Sequence, residues 1–329
     1  MSNDQINAEI LNKIQQKDSN FNLIKFAVPI IDLLAPIKYS PRGEYNNEYF
    51  FICLLDFVIT GVYWKHYRGT PGYPINGKYL NQIHNRYIKE GVYKAINKAL
   101  LKKYLSTDRE IKLKNQCIDS SFIANKKGSV KNNNHLLSHK EKNENRIIKE
   151  NNKHLPKKER RRCKTFIDTN RYNGRKKYFK ISSVTDSLGT PLITKPVSSK
   201  ESDSLSLIKT IDELPIDLKT LNNSKINRYK QNLLADSGYC SKKNRSYLKR
   251  KGYTSLIKYN KRNTKNKKII NENKFNKKDK QIYKKRFVIE AYFSWIKNFP
   301  VINQNYQKTI SSYEGLVSLA SFIIISKRI

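Results

Sequence analysis

The chain has 329 residues, with 66 Lys and Arg against 27 Asp and Glu, a formal net charge of +39. That excess goes far beyond what solubility requires and points to a polyanionic partner, while 38% hydrophobic and 11% aromatic residues exclude a wholly disordered chain. The longest apolar runs, Phe50 to Val62 and Leu316 to Ile325, are too short or too interrupted to span a bilayer, and Met1 to Ser19 is too polar for a secretory leader.

Taken in order, the first hundred or so residues read as helical and are assigned to an N-terminal domain over 1–105. An apolar helix is expected over Asn46 to Tyr67, closed by Gly69, Pro71, Gly72 and Pro74. A second helical stretch starts at Gly77. It carries Leu80, Ile83, Tyr87, Val92, Ile96 and Leu100 at mostly three- and four-residue steps, with Arg86, Lys89, Lys94 and Lys98 between them. Two helices across a Gly/Pro turn, the second basic, suit either a DNA-reading module or plain helical packing.

The remainder, 106–329, reads as a mixed α/β sheet with helices packed on it. Strands are expected at Gln116 to Ser121, Lys177 to Thr185, Pro191 to Val197 and Asn232 to Ala235, the middle two joined by a turn at Asp186 to Gly189. Helices are expected at Ser204 to Ile211, Lys242 to Lys251 and Asp279 to Lys297.

Two stretches, Asn125 to about Tyr172 and Lys258 to Lys285, read as irregular, basic and linker-like. The run Lys157 to Arg162 in the first suits phosphate contact and nuclear import equally. His135, His139, His154 and Cys163 lie in Asn- and Lys-rich sequence that reads as a solvated linker, not a zinc site. The four cysteines form no CxxC pair, so a reducing compartment fits. Positive charge is spread along polar segments and not gathered on one amphipathic helix, which favours nucleic acid over a membrane surface.

Three acidic residues sit where catalytic carboxylates are normally placed: Asp119 and Asp236 at strand ends and Glu290 inside a helix. Three converging carboxylates repel one another unless a cation neutralises them, and hard oxygen ligands select Mg²⁺ or Mn²⁺. Two such ions a few ångströms apart activate a water or a sugar 3′-hydroxyl and stabilise a departing phosphodiester oxygen. Tyr283, Arg286, Glu290 and Lys297 follow at steps of three, four and seven, which on one helix sets all four on one face. The carboxylate would hold metal, with Arg286 and Lys297 on phosphates to either side. The bland alternative is an exposed helix with an Arg–Glu ion pair.

The series Tyr283, two residues, Arg286, three residues, Glu290, six residues, Lys297 resembles the signature of the insertion-sequence DDE transposases. Ala235 to Tyr239 is similar to that family's second aspartate motif, and Ile118 to Ser121 to its first. Gly174, Arg175, Lys176 and Lys177 leading into strand, turn and strand, with Ser202, Asp203 and Ser204 beyond, agree with the same family, as do Tyr87, Gly91 and Val92. The resemblance covers the chain from about Tyr67 onward and implies a ribonuclease-H-like core. By carry-over it makes Asp119, Asp236 and Glu290 the catalytic metal ligands for two Mg²⁺ or Mn²⁺ ions. It makes Tyr283, Arg286, Lys297, Arg175, Lys176 and Lys177 candidate DNA contacts.

The implied partners are double-stranded DNA, as terminal inverted repeats and target, and further copies of the chain in a dimer or larger synaptic complex. Location follows the DNA, inside the cell. A non-catalytic DNA-binding descendant and a nuclease of the same fold that cuts without joining are the rivals. For all three, binding to duplex DNA is expected to be strongly electrostatic. In a salt series, log affinity should fall with log salt by about 0.9 per phosphate neutralised, and a flat response would show that the +39 charge is not engaged.

Overall fold

The computed structural model describes residues 21–37, 45–126, 139–156, 168–169, 177–215, 231–259 and 274–329. Arg175, Lys176, His135, Cys163 and the run Lys157 to Arg162 lie outside the described residues.

Four N-terminal helices lead in: α1 (Leu23–Leu34), α2 (Asn47–Thr60), α3 (Gly77–Lys89) and α4 (Val92–Tyr104). The Asn46 side chain caps α2 by accepting from the Tyr49 N–H, and Gly61, left-handed at φ 70°, ends it. The expected helix to Tyr67 therefore stops at Thr60. The second expected stretch is likewise two helices, because Gly91 at φ 71° breaks the chain between α3 and α4. Nearly every residue of α2 from Phe50 to Val58 is buried, so this helix is apolar all round and sits inside the molecule.

After a short α5 (Arg109–Leu113), the sheet is built from β3 (Asn115–Asn125), β5 (Lys177–Thr185), β6 (Pro191–Val197), β7 (Gln231–Ala235) and β8 (Tyr253–Ile257). The pairs β1 (Gly69–Thr70) with β2 (Tyr73–Pro74), β4 (Asp168–Thr169) with β5, and β9 (Gln304–Asn305) with β3 add short edges. The long strands lie in the order β6-β5-β3-β7-β8, and β5 alone runs against the others. This mixed sheet flanked by helices agrees with the expected ribonuclease-H-like core.

The helices of this half are α6 (His139–Asn151), α7 (Asp203–Asp212), α8 (Lys242–Arg250), α9 (Lys277–Lys284), α10 (Phe287–Lys297), α11 (Pro300–Asn303) and α12 (Ile310–Ser326). Two expectations change here. The first basic stretch begins inside β3 and contains α6, so it is not irregular throughout. The helix expected over Asp279 to Lys297 divides at Lys285 and Arg286 into α9 and α10. Strand β8 was not foreseen; its Tyr-Thr-Ser-Leu-Ile sequence is β-prone but lies among Lys residues that mask the pattern.

One hydrophobic core runs from α1 through the sheet to α12, so the N-terminal helices and the sheet are packed as a unit. Helix α12 joins them: its residues from Tyr313 to Ile325 are almost all buried, against β6 on one side and α2, α3 and α4 on the other. His84 of α3 donates through Nε2 to the Ser312 carbonyl at 3.0 Å and accepts at Nδ1 from the Tyr93 hydroxyl at 2.7 Å, tying three helices at one ring. Burial lowers its pKa to about 4, so it is neutral at physiological pH.

This crossing leaves no room at Gly315. A Cβ there would lie 2.7 Å from His84 Cε1, 3.0 Å from Tyr93 Cε2 and 3.1 Å from Ile88 Cγ1, and the first two rings are held by their mutual hydrogen bond. Gly315→Ala gains about 1 kcal/mol of helix propensity but overpacks the crossing at about 1–3 kcal/mol. The variant should melt below the parent in thermal unfolding, and an equal or higher Tm would show that α12 can back away from α3.

Candidate active site

Strands β3 and β7 run parallel, with Cys117 level with Leu234 at the last registered pair. Extending that register by two residues sets Asp119 level with Asp236, the residue that follows β7. Asp236 thus follows the carboxyl end of β7, where open α/β sheets place their ligand sites, and Asp119 stands beside it in the middle of β3, which continues to Asn125; the expected strand end at Ser121 is not observed. Asp236 has extended backbone and opens the short 3₁₀ turn Ser237–Tyr239, which turns the chain away from the sheet.

The third carboxylate comes from α10. That helix is fastened by Ile289, Tyr292 and Ile296, all fully buried, and by a 2.5 Å hydrogen bond between the Tyr292 hydroxyl and Thr194 of β6. Glu290 sits on the opposite, exposed side. The break between α9 and α10 leaves Arg286 in right-handed helical backbone at the start of α10. Its guanidinium donates to Asp119 Oδ2 at 2.9 Å through Nη1 and to Glu290 Oε1 at 2.9 Å through Nη2. The Arg–Glu ion pair of the bland alternative is therefore present. It does not stand alone, because the same guanidinium reaches across to the sheet.

The electrostatics of the cluster follow from this bridge. Burial raises the pKa of Asp119, against the Ser120 N–H, which donates to Oδ1 at 2.8 Å, and the Arg286 charge, both of which lower it. Burial alone would lower the pKa of Arg286, but the charges of Asp119, Glu290 and Asp236 outweigh it and the net shift is upward. All three carboxylates therefore act on one guanidinium. Among the described residues, no three His, Cys, Asp or Glu side chains stand close enough together to hold one metal ion as they are oriented here.

Tyr283, at the end of α9, is half-buried and donates its hydroxyl to the Ala235 carbonyl at 3.2 Å, which fixes α9 to the end of β7; burial raises its pKa. The Lys258 ammonium lies 4.7 Å from the centre of its ring. Lys177 does not join the cluster. It opens β5 six residues before Ser183, the partner of Asp119, about 20 Å away along the strand.

Of two side chains beside the cluster, Asp203 belongs to the Ser202 to Ser204 stretch named above and Lys180 was not singled out from the sequence. Lys180 is a buried cation on β5, and its signal was a single charge between Phe179 and Ile181 in an otherwise uncharged strand interior. It pairs at 2.9 Å with Asp203, the first residue of α7, which also accepts from Ser120.

The family model described as Transposase DDE domain matches residues 116–324, nearly the whole span from the first strand of the sheet to the last helix. No curated protein and no solved structure matches the chain. No helix of the described residues is long and apolar enough to cross a membrane.

Lys297, at the end of α10, is half-buried and makes no ion pair among the described residues; burial lowers its pKa. The folded chain therefore holds this proton less tightly than the unfolded chain. The cost is fully present below the folded pKa and is relieved only as pH rises through it. Lys297→Met removes that cost, so the variant should melt at or above the parent at neutral pH. A clear fall in Tm would show that the ammonium stabilises the fold, as an unlocated partner would require.

Proposed function

The chain belongs to the DDE transposase family, and from that premise we propose that it binds the terminal inverted repeats of its element, nicks them by metal-dependent hydrolysis and transfers the freed 3′-hydroxyls into target DNA. One observation supports this most directly: Asp119 of a central strand and Glu290 of a helix both bind the Arg286 guanidinium, and the strand register sets Asp236 level with Asp119. A helix with a surface ion pair has no need of the two strands.

DDE transposases use divalent metal ions, and the donor set fits a hard dication. It offers carboxylate oxygens only. That one guanidinium already serves Asp119 and Glu290 supports the view that a shared cation can be held there once the side chains turn toward it. On this reading Asp119, Asp236 and Glu290 would hold Mg²⁺ or Mn²⁺, two ions in all. When bound, such ions activate the attacking oxygen and stabilise the leaving one.

The chain's own groups do the rest. Arg286 is the residue that must change partners, because its guanidinium and a dication need the same oxygens. A DNA phosphate offers it an equivalent bidentate acceptor. Lys297, desolvated and without an ion pair among the described residues, supplies a second phosphate contact about two turns past Glu290 along α10. Tyr283 holds α9 against β7 and so keeps Arg286 over Asp119. In-line attack on phosphorus needs no covalent protein intermediate, so positioning and charge neutralisation provide most of the acceleration. Two ends must be cut and joined together, which calls for a dimer or larger synaptic assembly.

The test replaces each carboxylate by its amide: Asp119→Asn, Asp236→Asn and Glu290→Gln. Mg²⁺-dependent nicking of a terminal-repeat duplex should fall by a factor of 10³ or more, on the order of the loss of a metal's full contribution. The fold should survive. For Asp119 burial raises the pKa, so its charge costs the folded state stability and does not supply it. Any variant that nicks near the parental rate, or that unfolds as it loses activity, is not a metal ligand.

A further inference from the structure

Behind Asp119, on the other face of the sheet, lies a second charged group of contacts. Side chains alternate along β3, so Ser120 points away from the Asp119 face, toward α7. Its hydroxyl donates to Asp203 Oδ1 at 2.9 Å, and its backbone N–H donates to Asp119 Oδ1 at 2.8 Å. One residue therefore connects the two carboxylates. The same Oδ1 of Asp203 accepts from Lys180 Nζ at 2.9 Å, and Lys180 also donates to the Glu201 carbonyl at 2.6 Å. The other oxygen of Asp203 faces Gly238 of the second aspartate turn, where a Cβ would lie 3.4 Å from it.

Asp203 thus lies against both Ser120, next to Asp119, and Gly238, two residues after Asp236. Its charge is felt at Asp119, and with that of Asp119 at the buried Tyr239. A bare fourth carboxylate here would add to the repulsion at the site, and a bare buried Lys180 would oppose any cation bound there. Together they cancel.

We propose that Asp203 and Lys180 are positioning residues of the carboxylate site: Asp203 sets the orientation of Asp119 through Ser120, and Lys180 balances its charge. Neither is a ligand. The proposal rests on the reading that Asp119 holds a metal ion, and its test separates the two.

The experiment titrates Mn²⁺ alone into the full chain, following free Mn²⁺ by electron paramagnetic resonance, for the parent and for Asp119→Asn, Asp203→Asn, Lys180→Met and the double variant Asp203→Asn with Lys180→Met. Asn keeps an acceptor for Ser120 and loses only charge. Asp203→Asn leaves Lys180 unbalanced and should weaken Mn²⁺ binding about tenfold, as expected for one added charge at short range. Lys180→Met leaves Asp203 unbalanced and should bind Mn²⁺ at least as tightly as the parent. The double variant, neutral again, should return to within about threefold of the parent. This crossing of signs is what a merely structural pair would not produce.

If the double variant binds as weakly as Asp203→Asn alone, Asp203 is itself a ligand and the proposal fails. It fails too if all three variants bind as the parent does while Asp119→Asn does not. If Asp119→Asn binds Mn²⁺ as tightly as the parent, the ligand reading of Asp119 falls, and the brace falls with it.

Discussion

Like charges brought to one place must be neutralised, and this molecule meets that constraint with a guanidinium. Asp119 is held down in a partly buried strand and Glu290 stands on a helix whose other side is locked into the core. Neither can move far from the other. Arg286 spans them with one planar, bidentate-capable group, which a lysine's single ammonium would not do. A guanidinium is also a replaceable neutraliser. It is bound by charge and hydrogen bonds alone, so on the proposed function an incoming dication and an incoming phosphate would act in concert, one taking the carboxylates and the other the arginine. On the proposed function, each would favour the other's binding by the same factor.

The fold serves this arrangement by rigidity. Asp119 is fixed by antiparallel pairing to Ser183 and by the adjacent Ser120 N–H; Asp236 follows directly on the fully buried Leu233, Leu234 and Ala235. Helix α10 cannot roll without tearing Ile289, Tyr292 and Ile296 from the core. Beneath it α12 carries the packing through to the N-terminal helices, so the position of Glu290 depends on contacts far from any carboxylate. Removing one such buried aliphatic side chain typically costs a few kcal/mol, a large part of a domain's stability.

How much of this the sequence carried depended on the range of the interaction. The strands over 177–185 and 191–197 and their turn were legible residue for residue, because alternation and an Asp-Ser-Leu-Gly turn are local signals. Asp119, read as a strand end because the sequence turns polar at Ser120 and Ser121, lies mid-strand in a β3 that continues to Asn125. Asp236 was legible as the residue after a β-type run, and Glu290 through its spacing to Arg286. Breaks were not. At Gly91 a left-handed residue interrupts a hydrophobic pattern that continues on both sides, and periodicity is blind to that. The same holds at Lys285, where a strongly helical composition and helical backbone hide a break in the four-residue hydrogen-bond pattern. The Asp203–Lys180 pair could not be inferred as a contact at all. It joins a helix start to a strand across the intervening hairpin, and only the fold brings them together.

The remaining tension is between the whole chain and its site. A protein of net charge +39 attracts DNA, whereas on the proposed function three carboxylates would repel the phosphate they act on. Screening resolves part of it: beyond about 10 Å at moderate salt only the large positive field is felt. Closer in, the sign is set by local pairs. Arg286 against Asp119 and Glu290, and Lys180 against Asp203, bring the pocket nearer to neutrality than its carboxylate content suggests. Lys297, without an ion pair among the described residues, is a half-buried cation on the same helix as Glu290, seven residues further along. The basic surface gathers the polyanion, and these few pairs decide whether a phosphate can come to rest beside acidic side chains.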